Sequence, residues 1–350
     1  MKNWDVIIVG GGVIGLSLAR ELHKRNLRLL VVERGEPGRE ASHAAAGMLA
    51  YCDAEPCIAL QTLKLASARL YLEFIHELED ESRLRIDFRR EGTISFVAEN
   101  EALGCESARE LNAAQVAEME PAIVSPGGRA FYTPEESVNN RELMAALRGA
   151  ARHREIEIAT GMEVTGVEMR EGCVCGVTTD RTSFAAPIVV NCAGAWAGRF
   201  GPVKLPLRPR KGQMLAVASH RLNLRHVLRA PEIYVVPRSD GRILIGATVE
   251  DAGYDKRVDP QTIQRLHQAA ANLLPELGEA RVLEAWAGLR PAAPDGLPIL
   301  GATSLRGYFV ATAHFRNGIL LAPITAEVMT KIILGEPPEY DLSEFSAARF

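Results

Sequence analysis

Apolar residues in this chain come in short runs that end at glycine or at charge. Asp5-Val-Ile-Ile-Val-Gly10 is a β-branched run of strand length closed by glycine, the pattern of a buried strand. Beyond it, Ile14, Leu18 and Leu22 recur every four residues, which predicts a helix from Val13 to Lys24. Leu27 to Val32 reads as a second strand, ending at Glu33. Strand, glycine turn, helix and strand are thus complete within the first 34 residues.

The pattern continues along the chain. Residues 58 to 80 are predicted helical, with Leu63, Ala66, Leu70 and Phe74 at helical spacing. Gly92-Thr-Ile-Ser-Phe-Val97 is a strand, and 108 to 120 a short charged helix stopped at Glu120-Pro121. Arg141 to His153 is a helix, and Ile156 to Ala159 and Met162 to Met169 are strands before a turn at Glu171-Gly172. Ile188 to Asn191 is a buried strand that enters Cys192-Ala-Gly-Ala-Trp196. From Leu205 the pattern becomes antiparallel, with strands at Gln213–Ala218, Ile233–Pro237 and Arg242–Thr248 and a hairpin turn at Ser239-Asp-Gly241. A helix over 260–275 and a strand over Arg281–Ala287 follow. Pro323 is tolerated only in a first helical turn, so the last helix begins near Leu320 to Ala322. It runs to Leu334, with Gly335 as its stop and Pro337 beyond.

This order predicts an α/β chain, α+β overall, built from two interleaved domains. A Rossmann-like domain takes 1–80, 135–204 and 282–350. An antiparallel-sheet domain takes 81–134 and 205–281. The 350 residues are enough for both.

Composition narrows the function. Hydrophobic residues are 47% and charged residues 24%, a globular profile. The net charge of −4 leaves no basic surface to argue for nucleic acid. No apolar run approaches the roughly 20 residues of a membrane span, and Asp5 with Gly10–Gly12 interrupts any signal-peptide core. The six cysteines, with Cys52 and Cys57 five apart and Cys173 and Cys175 as a C-x-C, lack a zinc partner set and are expected as reduced thiols. A cytoplasmic protein without a metal site is expected. Oligomeric state is open, with a homo-oligomer allowed.

Chemistry enters at the first turn. Gly10-Gly-Gly12-Val13-Ile14-Gly15 fits G-x-G-x-x-G between a strand and a helix. The first glycine permits the tight turn, the second lets backbone approach a pyrophosphate, and the third lets helix and strand pack closely. The helix N-terminus offers free N–H groups to the anion. Glu33, 18 residues past Gly15, suits a ribose 2′-hydroxyl and repels a 2′-phosphate. Arg34 opens a loop, and Ser42 with the small residues Ala45, Ala46 and Gly47, followed by Met48, allows backbone to lie against a bulky ligand. No second strand–glycine–helix unit appears, so the pattern offers no site for a second dinucleotide.

Four segments resemble the D-amino acid oxidase family of FAD-dependent oxidoreductases, and most of all its bacterial glycine oxidase branch. They are the unit from Gly10 to Glu33; Ser42 to Met48; Val189-Val-Asn-Cys-Ala-Gly-Ala-Trp196; and the C-terminal pair Trp286-Ala-Gly-Leu-Arg290-Pro with Asp295-Gly-Leu-Pro298 and His314-Phe-Arg316-Asn-Gly318-Ile-Leu-Leu-Ala-Pro323. The resemblance implies that the Rossmann-like domain is an FAD-binding domain of the glutathione reductase type and that the antiparallel-sheet domain binds substrate, with FAD contacts at Gly10, Gly12, Val13, Ile14, Gly15, Glu33, Arg34, Ser42 and Ala45 to Met48. It adds Val164, Ala193, Gly194, Trp196, Arg290, His314, Arg316, Asn317, Gly318, Ile319 and Leu320. The flavin is expected to be noncovalent, since no cysteine lies in Leu289–Gly301, where sarcosine oxidases of the family attach theirs.

Arg290, in an apolar setting, has a fork suited to a carboxylate, and the resemblance gives it and Tyr234 the substrate α-carboxylate. Arg316 falls beside flavin and substrate amine; His314 and His43 are weaker candidates as bases. The implied reaction is hydride transfer from the Cα of glycine, sarcosine or a small D-amino acid to flavin N5. An imine forms and hydrolyses to keto acid and ammonia, and dioxygen leaves as hydrogen peroxide. A dehydrogenase of a secondary amine or hydroxy acid that feeds an electron carrier is the alternative. Three positions depart from the glycine oxidase pattern: Arg229 for a tyrosine, Val249 for a methionine, and Ala313 for a glycine.

Overall fold

The structure, a computed structural model, describes residues 4–53, 57–101, 103–219 and 222–350. A six-stranded sheet forms its base, in the order Ile299–Ala302, Tyr308–Thr312, Ile188–Asn191, Val6–Val9, Leu29–Glu33, Glu157–Thr160. Every pairing is parallel except that of the first two strands. The strand Val6–Val9 is apolar at all four positions because both of its faces are covered. Val6 and Ile8 pack under the helices Val13–His23, Ile58–Ser82, Asn140–His153 and Ala322–Leu334. Ile7 and Val9 face the opposite layer, which includes the three-stranded sheet of Val164–Arg170, Cys173–Thr179 and Ser183–Ala185.

The second large sheet has eight strands, in the order Arg281–Ala292, Arg208–Ala218, Arg242–Gly246, Tyr234–Pro237, Val227–Arg229, Thr93–Val97, Arg129–Thr133, Arg109–Leu111. Its pairs are antiparallel apart from Val227–Arg229 against Thr93–Val97, a parallel contact that the antiparallel reading of this region did not include. The helix Pro260–Leu273 packs on this sheet, and its start is set by Asp259, which accepts from the N–H of Gln261 and Thr262 at 3.2 and 3.1 Å. The strand Arg281–Ala292 begins at the boundary expected near 282, yet its ladder belongs to this eight-stranded sheet.

Two expectations need correction. The helix expected over 108–120 is shorter, Ala113–Met119, because Asn112 caps it in a reciprocal box with Gln115 and Arg109–Leu111 pairs as an edge strand. The cysteines are not all free thiols: Cys52 and Cys105 form a disulfide, with Cα atoms 5.0 Å apart, because the hairpin region carrying Cys105 folds back over the loop after Leu49. Their separation of 53 residues gave no local signal. The last helix is Ala322–Leu334 and Gly335 closes it at φ 75°, as the proline and glycine require.

Candidate active site

One cavity of about 1030 Å³ runs from the glycine turn to the eight-stranded sheet. At its base, Gly10, Gly12, Val13 and Ile14 line the wall. Gly10 has φ 110°, and a Cβ there would lie 2.5 Å from the Cys192 carbonyl oxygen, so only glycine fits. Gly15 does not line the cavity; the place its Cβ would take is filled by the Gly10 carbonyl oxygen. Its part is to let the helix close on the strand, the third role in the motif.

Glu33 lines the same end, and its carboxylate accepts from the N–H of Gly11 at 2.8 Å and of Gly35 at 2.9 Å. Each oxygen keeps a lone pair for a ribose hydroxyl. Ser42 Oγ accepts from the Val13 N–H at 2.9 Å, which satisfies one helix-end donor and leaves its own proton for a phosphate oxygen. Arg34 lies over the Trp196 ring at 3.5 Å and pairs with Glu40 at 2.5 Å, forming a side wall with Val164, Ala193 and Gly194.

Ala45, Ala46, Gly47 and Met48 line the middle of the cavity. Their backbone is pinned from behind: Trp286 Nε1 donates to the Ala44 carbonyl at 3.1 Å, Val138 N–H to Gly47 at 2.8 Å and Arg238 Nη2 to Ala46 at 2.6 Å. Gly47 sits at φ 72°, with the Val138 carbonyl where a side chain would go. Arg238 is 4% exposed, and burial lowers its pKa to about 10. Sequence reasoning missed this residue, which sits one position past the strand that carries Tyr234.

At the far wall, His314, Arg316, Asn317, Gly318 and Ile319 line the cavity, whereas Leu320 is buried behind them. The carbonyls of Leu320 and Ile319 accept from Ser67 Oγ at 2.6 Å and Tyr71 Oη at 2.9 Å, so the long helix Ile58–Ser82 holds this segment in place. Leu320 therefore shapes the site through its backbone. The segment leads into the N-terminus of Ala322–Leu334, whose N-cap, Leu321, offers no side-chain cap. Ala313 lies at φ 59° and Phe315 at φ 47°. The left-handed backbone at 313 is the reason glycine suits that position.

Arg290 and Tyr234 meet at the antiparallel end. Arg290 Nη1 donates to the Thr248 carbonyl at 3.0 Å, and no carboxylate is paired with it among the described residues. Its guanidinium lies over Gly212, where a Cβ would collide with it. The Tyr234 ring lies against Gly246 in the same way, 2.9 Å from a Cβ built there, and its hydroxyl is 3.5 Å from Met214 Sδ. Burial raises the Tyr234 pKa, opposed by Arg290, Arg316 and Arg229, so the phenol remains a donor. Gly212, Gly246 and Met214 were not singled out from the sequence, although an interior strand glycine is a readable mark of close approach.

The histidines are not poised as bases. His43 lies off the cavity, its Nε2 3.1 Å from Arg39 Nη1. His314 is 3% exposed, its Nε2 3.1 Å from Thr325 Oγ1, and burial lowers its pKa to about 3. A histidine neutral in the fold but free to protonate when unfolded makes the fold less stable as pH drops below about 6.5. The apoprotein is expected to lose about 2 kcal/mol between pH 7.5 and pH 5 through this group alone. Denaturant midpoints for the parent and His314→Asn check it: the variant's acid limb should be flatter, and identical limbs would remove His314 as the cause.

These walls fit FAD on their own geometry: a glycine turn backed by a carboxylate, a groove of small residues, and an uncapped helix end with two arginines at the far side. The fold and site define a dinucleotide-dependent oxidoreductase. The chain belongs to the FAD-dependent oxidoreductase family, whose pattern matches residues 5–332. It is 39% identical over 99% of its length to the bifunctional protein ThiO/ThiG of Trichormus variabilis, of which it covers 55%, and it likewise spans about half the length of the ThiO/ThiG proteins of Nostoc and Synechocystis. It is 34% identical to the glycine oxidase of Geobacillus kaustophilus over 99% of this chain and 97% of that one. The crystal structure of glycine oxidase from Geobacillus kaustophilus superposes with a TM-score of 0.94 at 32% identity, covering all of both chains. The chain is therefore an enzyme of this family. Its described residues include no helix long and apolar enough to cross a membrane.

Proposed function

We propose that this enzyme oxidises glycine, sarcosine or a small D-amino acid, with dioxygen as the electron acceptor. The observation that carries the reading is Arg290: a guanidinium at the cavity wall, next to the Tyr234 hydroxyl, with no acid of its own. A substrate carboxylate supplies that acid, with the guanidinium fork and the phenol both donating. Arg316, whose guanidinium lies 5.1 Å from the Phe315 ring centroid, adds positive potential beside them. FAD, held noncovalently by the glycine turn, Glu33, Ser42 and residues 45–48, supplies the hydride acceptor when bound. The chain's own work is placement and exclusion of water. No histidine takes a proton from the substrate in this scheme, since His314 is bonded to Thr325 and His43 is outside the cavity. Val249, half exposed on the cavity wall, is shorter than methionine and leaves room for side chains larger than hydrogen. In this reading residues 1–80, 135–204 and 282–350 serve mainly the flavin and 81–134 and 205–281 the substrate, with Arg290 reaching the substrate from the strand Arg281–Ala292, which pairs into the eight-stranded sheet.

The test is to mix the purified flavoprotein without oxygen with glycine, sarcosine, D-alanine and D-proline in turn, following the flavin absorbance. Bleaching by at least one of them is expected, with peroxide formed once air is admitted. A flavin band that none of the four bleaches would overturn the substrate class. Bleaching followed by reoxidation only through an added dye would replace oxidase by dehydrogenase.

A further inference from the structure

Arg229 stands directly opposite Tyr234 in the antiparallel pairing of Val227–Arg229 with Tyr234–Pro237. Opposed residues project from the same face, with Cβ atoms about 5 Å apart, so Arg229 flanks the place where Tyr234 and Arg290 converge. Both Arg229 and Asp53 line the cavity. Arg229 is engaged: Nη1 and Nη2 donate to the two oxygens of Asp53 at 2.6 and 2.9 Å, a bidentate pair, and Glu135 lies 4.0 Å behind. Asp53 is fixed through its own backbone. Its carbonyl accepts from Lys64 Nζ at 3.3 Å. The preceding Cys52 N–H donates to buried Glu135 at 2.6 Å, and Cys52 is tied to Cys105.

We propose that Asp53 occupies the position a second substrate carboxylate would take, so that the Arg229–Asp53 pair makes the site selective for monocarboxylic over dicarboxylic amines. The proposal rests on the reading of Arg290 and Tyr234 as the grip on the first carboxylate. Without Asp53, the cavity would hold three guanidiniums, those of Arg290, Arg316 and Arg229, around Tyr234. Such a surface attracts a dianion. With Asp53 in place, both of its oxygens are used by Arg229. An incoming second carboxylate must then displace a fixed carboxylate that stays nearby, or accept its repulsion without a partner. Either route disfavours the dianion. Glu135 strengthens this, since it places a further acid behind the same guanidinium. A small neutral substituent, as in glycine or D-alanine, brings no charge that must displace Asp53 from Arg229.

The experiment uses two ligands that cannot be oxidised at the site, propionate and succinate, titrated into the flavin-loaded enzyme and followed by the shift of the flavin absorbance band. In the parent, propionate should bind more tightly than succinate. In Asp53→Asn and in Asp53→Ser, the affinity for succinate relative to propionate should rise about tenfold or more. The second variant stands in if the first does not accumulate. Adding Arg229→Gln to Asp53→Asn should cancel that rise. An unchanged ratio in a flavin-loaded Asp53 variant overturns the proposal, as does a parent enzyme that already prefers succinate. If neither ligand shifts the band in the parent, the carboxylate grip of Arg290 and Tyr234 is itself wrong, and the selectivity proposal falls with it.

Discussion

Arg290→Ala is expected to lower kcat/KM for the amino acid by about 30-fold or more, the lower end of the 2–5 kcal/mol lost when one partner of a buried hydrogen-bonded charge pair is removed. The loss should fall mainly on KM, because the guanidinium grips a carboxylate that does not change during the reaction. Flavin content should be largely retained, since the glycine turn, Glu33, Ser42 and residues 45–48 of the cavity wall stay in place when the Arg290 side chain is removed. Arg290→Lys keeps the charge and loses the fork, so it should fall between parent and alanine variant. Gly212→Ala provides an independent check, because its added Cβ would strike the guanidinium of an otherwise intact Arg290 and force it to move. Steady-state kinetics on flavin-loaded protein decide the matter. A KM unchanged in Arg290→Ala would move the carboxylate elsewhere, with Arg316 the nearest candidate.

How much of this was legible in the sequence depended on whether the signal was local. The glycine turn, Glu33 and the start and stop of the last helix were readable because each is set by residues within one turn of itself. The helix read as Arg141–His153, found as Asn140–His153, and the strand Ile188–Asn191 were legible from the local run of residues. The strands Ile299–Ala302 and Tyr308–Thr312 were missed; they are short, and the first is an antiparallel edge added to a parallel sheet. Val227–Arg229 was missed because three residues carry no periodicity. The site divides in the same way. Residues 45–48 were found through the small side chains at 45–47, yet Arg238, Val138 and Trp286, which hold the backbone of 44–47, lie far away in the chain. Arg229 was noticed only as a departure from a pattern, and the sequence left open whether it was solvated or faced the pocket. Its partner Asp53 is 176 residues distant and gave no sign. The Cys52–Cys105 link was invisible for the same reason. What the sequence withheld was the set of long-range partners that hold the readable motifs in place.

Gly15→Ala and Gly12→Ala should separate two jobs that the glycine motif combines. At Gly15 an added Cβ would fall on the Gly10 carbonyl oxygen, with Ile8 Cγ2 3.3 Å away. The obstacle is backbone at the end of the central strand, and the helix Val13–His23 that carries Gly15 is itself buried along most of its length. Neither can yield without opening the core, so the apoprotein should lose on the order of 3 kcal/mol, the range of overpacking in a tight interior. At Gly12 the backbone has φ −77°, open to any residue, and a Cβ would meet only Ser42 Oγ at 3.3 Å, a side-chain atom able to rotate. Gly12→Ala should therefore leave the apoprotein Tm within a degree or two of the parent while it weakens FAD binding, because the methyl group points to where the pyrophosphate approaches. Melting curves of the flavin-free proteins and flavin titrations test both halves. A Gly15→Ala apoprotein as stable as the parent would show that the third glycine serves the ligand and not the contact between helix and strand.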